Sequence, residues 1–515
     1  MWTVMKVAVV DLGFNSLKMV NYIVGEGGSF EAYDQRGAMA KLGDGLALTG
    51  ILREDAMLRT LGILRTFREV ADTEETDRIL PITTSPAREA SNGRAFLRRA
   101  KWETGFDFRV LTGREEALLS FLGAAKAMEL SNSVFFDLGG GSLEIISAKG
   151  SRPVQARSLP LGSLKLTQEY SKLRDTLSRK DLSGMEGKIR RELPSRKEIR
   201  MPKMDILAGV GGSVRALARY DQELKRYPLT KAHNYVLKRG AVENIFEALS
   251  QMSTREIGKI QAIGNGRAES IKAGALVVKC MMEKFGFEEL HVSTHGLRDG
   301  VLCSFLDDPY VCLKGPVTEA YVARAARASP WPDSLIHSRP LIKAMMTSRR
   351  LRQGDLGALA HAVRLAITDS YCLDPPTLFY SSVYEDSPLS HSLQVAASIA
   401  LVRTRKPRVA EWLSTKYRAL MEDADRHEIP RLASLIAMAE ILERTECELS
   451  VRSSQDSLQL VAIPSKKRIP AGLFEEALVS LQDEYGVSVS GHVEKGPNRW
   501  GKGGLTSQVK RRVLA

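Results

Sequence analysis

The stretch Val134-Phe-Phe-Asp-Leu-Gly-Gly-Gly-Ser-Leu-Glu-Ile-Ile146 is an apolar run broken at its centre by Asp137, three glycines, Ser142 and Glu144. Val, Phe and Ile on either side favour buried pleated segments. Consecutive glycines let the backbone bend sharply with its N–H groups aimed at an anion. The stretch therefore reads as strand, phosphate-cradling turn, strand. Carboxylates beside an amide-lined turn repel a phosphate unless a hard cation such as Mg2+ sits between them. An ordinary glycine hairpin is the competing reading, since short glycine motifs also arise by chance.

A second copy weighs against chance. Near the N-terminus, Lys6-Val-Ala-Val-Val-Asp-Leu-Gly-Phe-Asn-Ser16 repeats the D-L-G-x-x-S spacing of Asp137 to Ser142, starting at Asp11. A duplicated strand–turn unit implies two similar halves whose turns face one cleft, each holding part of a phosphate chain. A third glycine turn, in Asp205-Ile-Leu-Ala-Gly-Val-Gly-Gly-Ser-Val-Arg215, runs into a helical pattern, so Ser213 is expected to cap a helix N-terminus that points toward anions.

The chain has 515 residues, 43% of them hydrophobic, and a formal charge of +13. That length predicts several domains, and the charge, with an isoelectric point of about 9.4, calls for an anionic partner. Cys280, Cys303, Cys312, Cys372 and Cys447 are scattered without C-x-x-C spacing, which fits small buried hydrophobes in a reducing compartment. No apolar run approaches the roughly 20 residues of a membrane span, and the N-terminus enters Val7–Val10 without a cleavage-type segment. These features predict a cytoplasmic protein without a membrane partner.

Along the chain, Val20–Val24 and Phe30–Tyr33 read as further strands and Leu52–Val70 as a helix. Ile79–Ser85 reads as a strand ending in the hydroxyls of Thr84 and Ser85, with Arg88 just beyond, and such strand ends face the ligand crevice of an α/β sheet. A solvated surface cation is the alternative for Arg88. Glu115 and Glu116 open the helix that begins at Arg114. The helix dipole favours acids there whether or not they do chemistry, but a carboxylate at a cleft can also deprotonate an attacking water. His291 and His295 flank a strand with no second ligand pair at metal spacing, so supporting roles are favoured over zinc. From about Pro309 the glycine turns give way to helical spacing at Leu356–Ile367, Leu393–Val402 and Leu432–Leu442. Beyond Pro464 come a helix at Phe474–Tyr485, a strand at Val487–Val493 and a basic tail from Lys495 to Arg512.

Taken in order, V-V-D-L-G-F-N-S, T-T-S-P-A-R-E-A-S-N, T-G-R-E-E-A-L-L, F-F-D-L-G-G-G-S-L-E, L-P-L-G-S, A-G-V-G-G-S-V-R, G-R-A-E-S-I-K-A-G-A and V-S-T-H-G-L-R-D-G-V-L resemble the exopolyphosphatase and guanosine pentaphosphate phosphatase family. The resemblance spans roughly residues 5 to 305. It implies an α/β fold of duplicated ribonuclease-H-like, actin-like ATPase halves at 1–128 and 129–308. These are followed by an all-α HD-like domain at 309–455 and a small α+β domain at 456–515. It further implies Glu116 as the general base, Arg88 as a phosphate-binding arginine, and Asp137 with Glu144, faced by Asp11, as holders of Mg2+ or another divalent cation. The phosphate-binding set carried over comprises Asn15, Ser16, Lys18, Thr84, Ser85, Gly139, Gly140, Gly141, Ser142, Gly211, Gly212 and Ser213.

Two positions depart from the family pattern. Phe14 stands where serine is usual, which removes one hydroxyl from the phosphate site, and Pro86 stands where a small residue is usual. Arg431–Leu442 resembles the closing helix of the HD-like domain, yet no His-Asp doublet occurs, and His337, His361, His391 and His427 are isolated. That domain is therefore expected to shape the substrate channel or a dimer contact.

The resemblance and the charge make Mg2+-dependent hydrolysis of inorganic polyphosphate the leading expectation, with guanosine pentaphosphate the alternative within the same chemistry. A homodimer is implied, and nucleic acid is disfavoured as partner. An ATP-dependent kinase and a non-catalytic polyphosphate or nucleotide sensor are the readings from other classes. Glu116 suits water better than a carried hydroxyl, and the presence of Glu116, Asp137 and Glu144 argues against a sensor.

Overall fold

The computed structural model describes residues 4–25, 29–128, 130–150, 152–171, 177–200, 204–326, 332–352, 354–368 and 374–494. The first apolar run forms Met5–Leu12 (β1), whose Val7–Val10 are wholly buried. It turns back through Leu17–Val24 (β2) and Phe30–Ala38 (β3) as an antiparallel meander. Arg78–Thr83 (β4) and Arg109–Val110 (β5) add in parallel on the other side of β1, giving the order β3-β2-β1-β4-β5.

The second sheet repeats this plan. Ser133–Leu138 (β6), Leu143–Lys149 (β7) and Arg152–Leu159 (β8) form its meander, and Ile206–Gly211 (β9), Val236–Lys238 (β10) and Glu289–Val292 (β11) complete it. The order is β10-β11-β9-β6-β7-β8, so that β8-β7-β6-β9-β11 traces the path of β3-β2-β1-β4-β5, with β10 added at the edge. The same pairings recur, antiparallel within each meander and parallel from β6 through β9 to β11, while the added edge strand β10 pairs antiparallel with β11.

Between the sheets lies the helix Gly113–Ala127. Thr112 starts it with a reciprocal cap: its hydroxyl accepts from Glu115 N at 3.2 Å while the Glu115 carboxylate accepts from Thr112 N at 2.9 Å. Every residue from Glu116 to Ala124 is buried, as a helix apolar on all sides requires. Its partner is the helix Leu297–Asp307. The two backbones approach so closely that a β-carbon on Gly123 would lie 2.1 Å from the carbonyl oxygen of Gly296, and one on Gly300 would lie 1.8 Å from that of Leu119. Val7 and Val9 of β1, Phe135 of β6, Leu119 and Val301 thus share one core across the two halves.

Two compact units divide the chain, Met1–Arg327 and Ala328–Ala515. The expected border at 308/309 differs from this division, because the short helices Pro309–Leu313 and Glu319–Ala325 pack with the first unit. Arg109 fixes them by donating to the carbonyl oxygens of Val311 (2.6 Å), Cys312 (2.5 Å) and Gly315 (2.9 Å). The second unit holds helices such as Asp355–Ile367, His391–Arg403 and Asp423–Arg444. It also carries a three-stranded sheet of Cys447–Ser453 (β12), Ser457–Pro464 (β13) and Ser488–Val493 (β14), which the helix Ala471–Tyr485 accompanies. This sheet begins at Cys447, ahead of the expected border at 455/456. Cys280, Cys303, Cys312 and Cys447 are buried free thiols, while Cys372 and the basic tail from Lys495 lie outside the described residues. No described helix is long and apolar enough to cross a membrane.

Candidate active site

The two D-L-G turns are built alike. Gly13 N donates to Ser16 O and Gly139 N to Ser142 O, each at 3.1 Å. Behind the first turn, Gly43 N donates to Phe14 O and Lys41 N to Asn15 O, both at 2.9 Å. Behind the second, Ser163 N donates to Gly139 O at 3.0 Å, and Leu164 N and Lys165 N donate to Gly140 O at 3.0 and 2.9 Å. With the carbonyls satisfied from behind, the N–H groups of Asn15, Ser16, Gly140 and Gly141 find no acceptor among the described residues. They are left as donors for an anion.

The third turn differs from expectation. Gly211, not Ser213, occupies the cap position of the helix Gly212–Leu224, and no side chain caps it. Gly211 has φ +121°, and the carbonyl oxygen of Leu138 sits 2.3 Å from where its β-carbon would be, so glycine alone fits. Ser213 packs against Gly274 one residue into the helix.

These turns line a cavity of about 340 Å3 together with Asp11, Lys18, Thr84, Ser85, Glu116, Asp137 and Ser213. Arg88 and Glu144 stand just outside its wall. Arg88 reaches Glu116 Oε2 at 3.1 Å and Leu111 O at 2.7 Å, so it braces the carboxylate rather than lying on the surface. Burial pushes the Glu116 carboxyl up to about 8 against the pull of Arg88, with Asp137 and Asp11 adding to the rise. Glu115 is committed elsewhere: Thr112 donates to it from N and Oγ1, and Arg109 reaches it at 2.6 Å. Burial alone would raise Glu115, but these donors hold it below the usual range.

Asp137 and Glu144 are direct cross-strand partners and share a face of the second sheet. Ser120 Oγ donates to Asp137 at 2.6 Å and Ser158 Oγ to Glu144 at 2.7 Å. Burial raises both carboxyls; Asp11 adds to the rise at Asp137, and Glu116 and Asp137 to that at Glu144. This is a buried excess of negative charge with only oxygen donors, and it suits a hard divalent cation. Ser120 holds one oxygen of Asp137, leaving the other for a cation or its waters, while Glu144 is held by the side chains of Ser158 and Ser142.

The opposite wall is basic, and sequence reasoning found only one of its members. Lys18 shares the cavity with Arg215, Arg267 and Arg298. Arg298, burial, Arg215 and Arg267 together push the Lys18 ammonium well below its usual value, against the opposing pull of Asp11. Arg215 is lowered to about 10 by burial and then by Arg298 and Arg267. Arg298 is steadied by an ion pair to Asp11 at 3.0 Å. Asp299 beside it accepts from Tyr22 Oη at 3.2 Å and Gly296 N at 3.0 Å, and lies 3.4 Å from His295 Nδ1. A usable signal existed: each arginine closely follows a glycine turn, at Gly212, Gly266 and Gly296.

Duplicated sheets meeting over amide-lined turns, with carboxylates on one wall and cations on the other, define a phosphoryl-handling protein of the actin-like ATPase type. The model of the Ppx/GppA phosphatase family matches residues 24–308, more than half of the chain, and the chain belongs to that family. Exopolyphosphatase 1 of Mycobacterium tuberculosis is 24% identical over 307 residues, 59% of this chain and 89% of that protein. The crystal structure of an exopolyphosphatase from Cytophaga hutchinsonii is 25% identical with a TM-score of 0.55, covering 59% of this chain and 98% of that one. The Aquifex aeolicus member of the Ppx/GppA family is 27% identical with a TM-score of 0.50, covering 59% and 99%.

Proposed function

We propose that the chain is an exopolyphosphatase, hydrolysing the terminal phosphoanhydride bond of inorganic polyphosphate and releasing orthophosphate. The observation that carries this is a buried carboxylate, Glu116, held by Arg88 at the wall of a cavity lined by free turn amides and four cations. A water oxygen attacks the terminal phosphorus while Glu116 takes its proton. The P–O bond to the shortened chain then breaks, and the leaving oxygen keeps the electron pair.

Arg88 keeps the Glu116 side chain oriented and favours its charged form. The amides of Asn15, Ser16, Gly140 and Gly141 hold the phosphate oxygens, and Lys18, Arg215, Arg267 and Arg298 neutralise the following phosphates without any large rearrangement. Asp137 and Glu144, with Asp11 nearby, would hold a divalent cation such as Mg2+, which when bound supplies charge neutralisation at the phosphoryl oxygens.

The test incubates the purified protein with Mg2+ and either long-chain polyphosphate, guanosine pentaphosphate, or ATP with candidate acceptors, and follows orthophosphate release. Release from polyphosphate that Glu116→Gln abolishes is the expected result. Release from guanosine pentaphosphate alone would move the reading to that substrate, and transfer to an acceptor without hydrolysis would overturn it.

A further inference from the structure

We infer that Phe14 is a positioning residue that pins the two phosphate turns together at their working separation. Although it lies in the first turn, between Gly13 and Asn15, and lines the cavity, Phe14 is only 3% exposed. Its ring lies between Gly43, from the same half, and Gly141, from the other. A β-carbon on Gly43 would sit 2.4 Å from the ring, and one on Gly141 would sit 2.5 Å from Phe14 Cδ2. The same position on Gly141 would lie 2.3 Å from Ser85 Oγ, so Phe14 and Ser85 of the first half together grip Gly141 of the second.

Leu164, at the start of the helix that caps the second turn from behind, belongs to the same apolar cluster as Phe14, Ala40, Leu42 and Leu46. The phenyl group therefore joins the loop behind the first turn, the second turn and the helix behind it. Glycines at 43 and 141 are the complement of that ring, since any side chain there would displace it. Pulling the turns apart returns the ring to water, which is unfavourable. The turns consequently meet the substrate already spaced, and little binding energy goes into closing the cleft.

Phe14→Ala is expected to populate an opened cleft. If the closed form falls to about a tenth of the population, the KM for polyphosphate rises about tenfold while kcat changes by less than about threefold. Amide hydrogen exchange should quicken at the bonded amides of the two turns and their backing, Gly13, Lys41, Gly43, Gly139 and Ser163–Lys165, and slow again on adding inorganic tripolyphosphate, which a merely structural loss would not do. Phe14→Leu should restore both readouts. Gly43→Ala should open the cleft in the wild-type background and add little in the Phe14→Ala background, because the two changes act on one contact.

If Phe14→Ala does not fold, Phe14→Leu and Gly43→Ala carry the test, and a silent Gly43→Ala overturns the inference. Unchanged exchange at the turns, or faster exchange spread evenly over the first sheet, overturns it as well. The inference rests on the phosphoanhydride-hydrolase reading only for the KM measurement. Exchange with tripolyphosphate is read without turnover, so failure of that reading and failure of the Phe14 role are distinguishable.

Discussion

Lys18 in the first half occupies the position that Glu144 occupies in the second: Lys18 is the cross-strand partner of Asp11, and Glu144 is that of Asp137. Duplication kept the aspartate in both turns and placed opposite charges beside it. The outcome is a cleft with a cationic wall, where Lys18 joins Arg215, Arg267 and Arg298, and an acidic wall of Asp137 and Glu116 with Glu144 just outside it. One wall suits the phosphate chain, the other the proton and the divalent cation.

Replacing Glu116 with Gln should leave the fold intact and reduce phosphate release by about 10²–10⁴-fold. Its stability should carry a pH signature in cation-free protein. The folded-state value of Glu116 is raised from 4.5 to about 8, so the native protein binds the extra proton and wild type loses stability as pH rises through that window. The amide has no charge to bury. Melting temperatures of the two proteins from pH 4.5 to 9 should therefore diverge in favour of Glu116→Gln up to about pH 8 and then run parallel.

Asp137→Asn and Glu144→Gln should act through the cation. Wild type is expected to gain melting temperature on titration with Mg2+, because binding to the native state alone stabilises it. Both variants should need higher concentrations for the same gain and recover part of their activity there. Identical cation dependence in wild type and both variants would remove these residues from the cation site.

Anion binding should draw in a proton at Lys18. The neighbouring cations and burial lower its value in the empty cleft, and a phosphate chain among those cations restores it, so protons are taken up at alkaline pH. Calorimetric titration with tripolyphosphate in two buffers of different ionisation enthalpy measures this uptake. Lys18→Met should bind more weakly and lose the buffer dependence.

Truncation after Val493, where β14 ends, tests the basic tail. If Lys495 to Arg512 track a long anion, the KM for long-chain polyphosphate rises and loses salt sensitivity while that for tripolyphosphate is unchanged. Equal changes for both chain lengths would instead point to a disturbed fold.

The duplicated turns were legible because glycine, aspartate and flanking β-formers fall together in a few residues, and the order of later motifs pointed to Glu116 and Arg88. What was not legible depended on convergence. Arg215, Arg267 and Arg298 come from three separate segments, and only the packing of the helix Leu297–Asp307 under the first turn brings Arg298 to Asp11. Ser213 misled because a hydroxyl before a helical run is the usual cap, whereas the carbonyl of Leu138 leaves room there for glycine alone. The ion pair that occupies Glu115 likewise depends on Arg109, whose reach to it no local pattern announces.

The backbone seam of Gly123 with Gly296 and Gly300 gives the two halves something like an axle. At Gly123 and Gly300 an added β-carbon would collide with main chain rather than with a group that can move aside. Substitution therefore cannot fine-tune that joint; it can only break it. Adaptation of the cleft's width to a new substrate has to be worked at the rim, where a single ring can be exchanged for a larger or smaller one without disturbing the pivot.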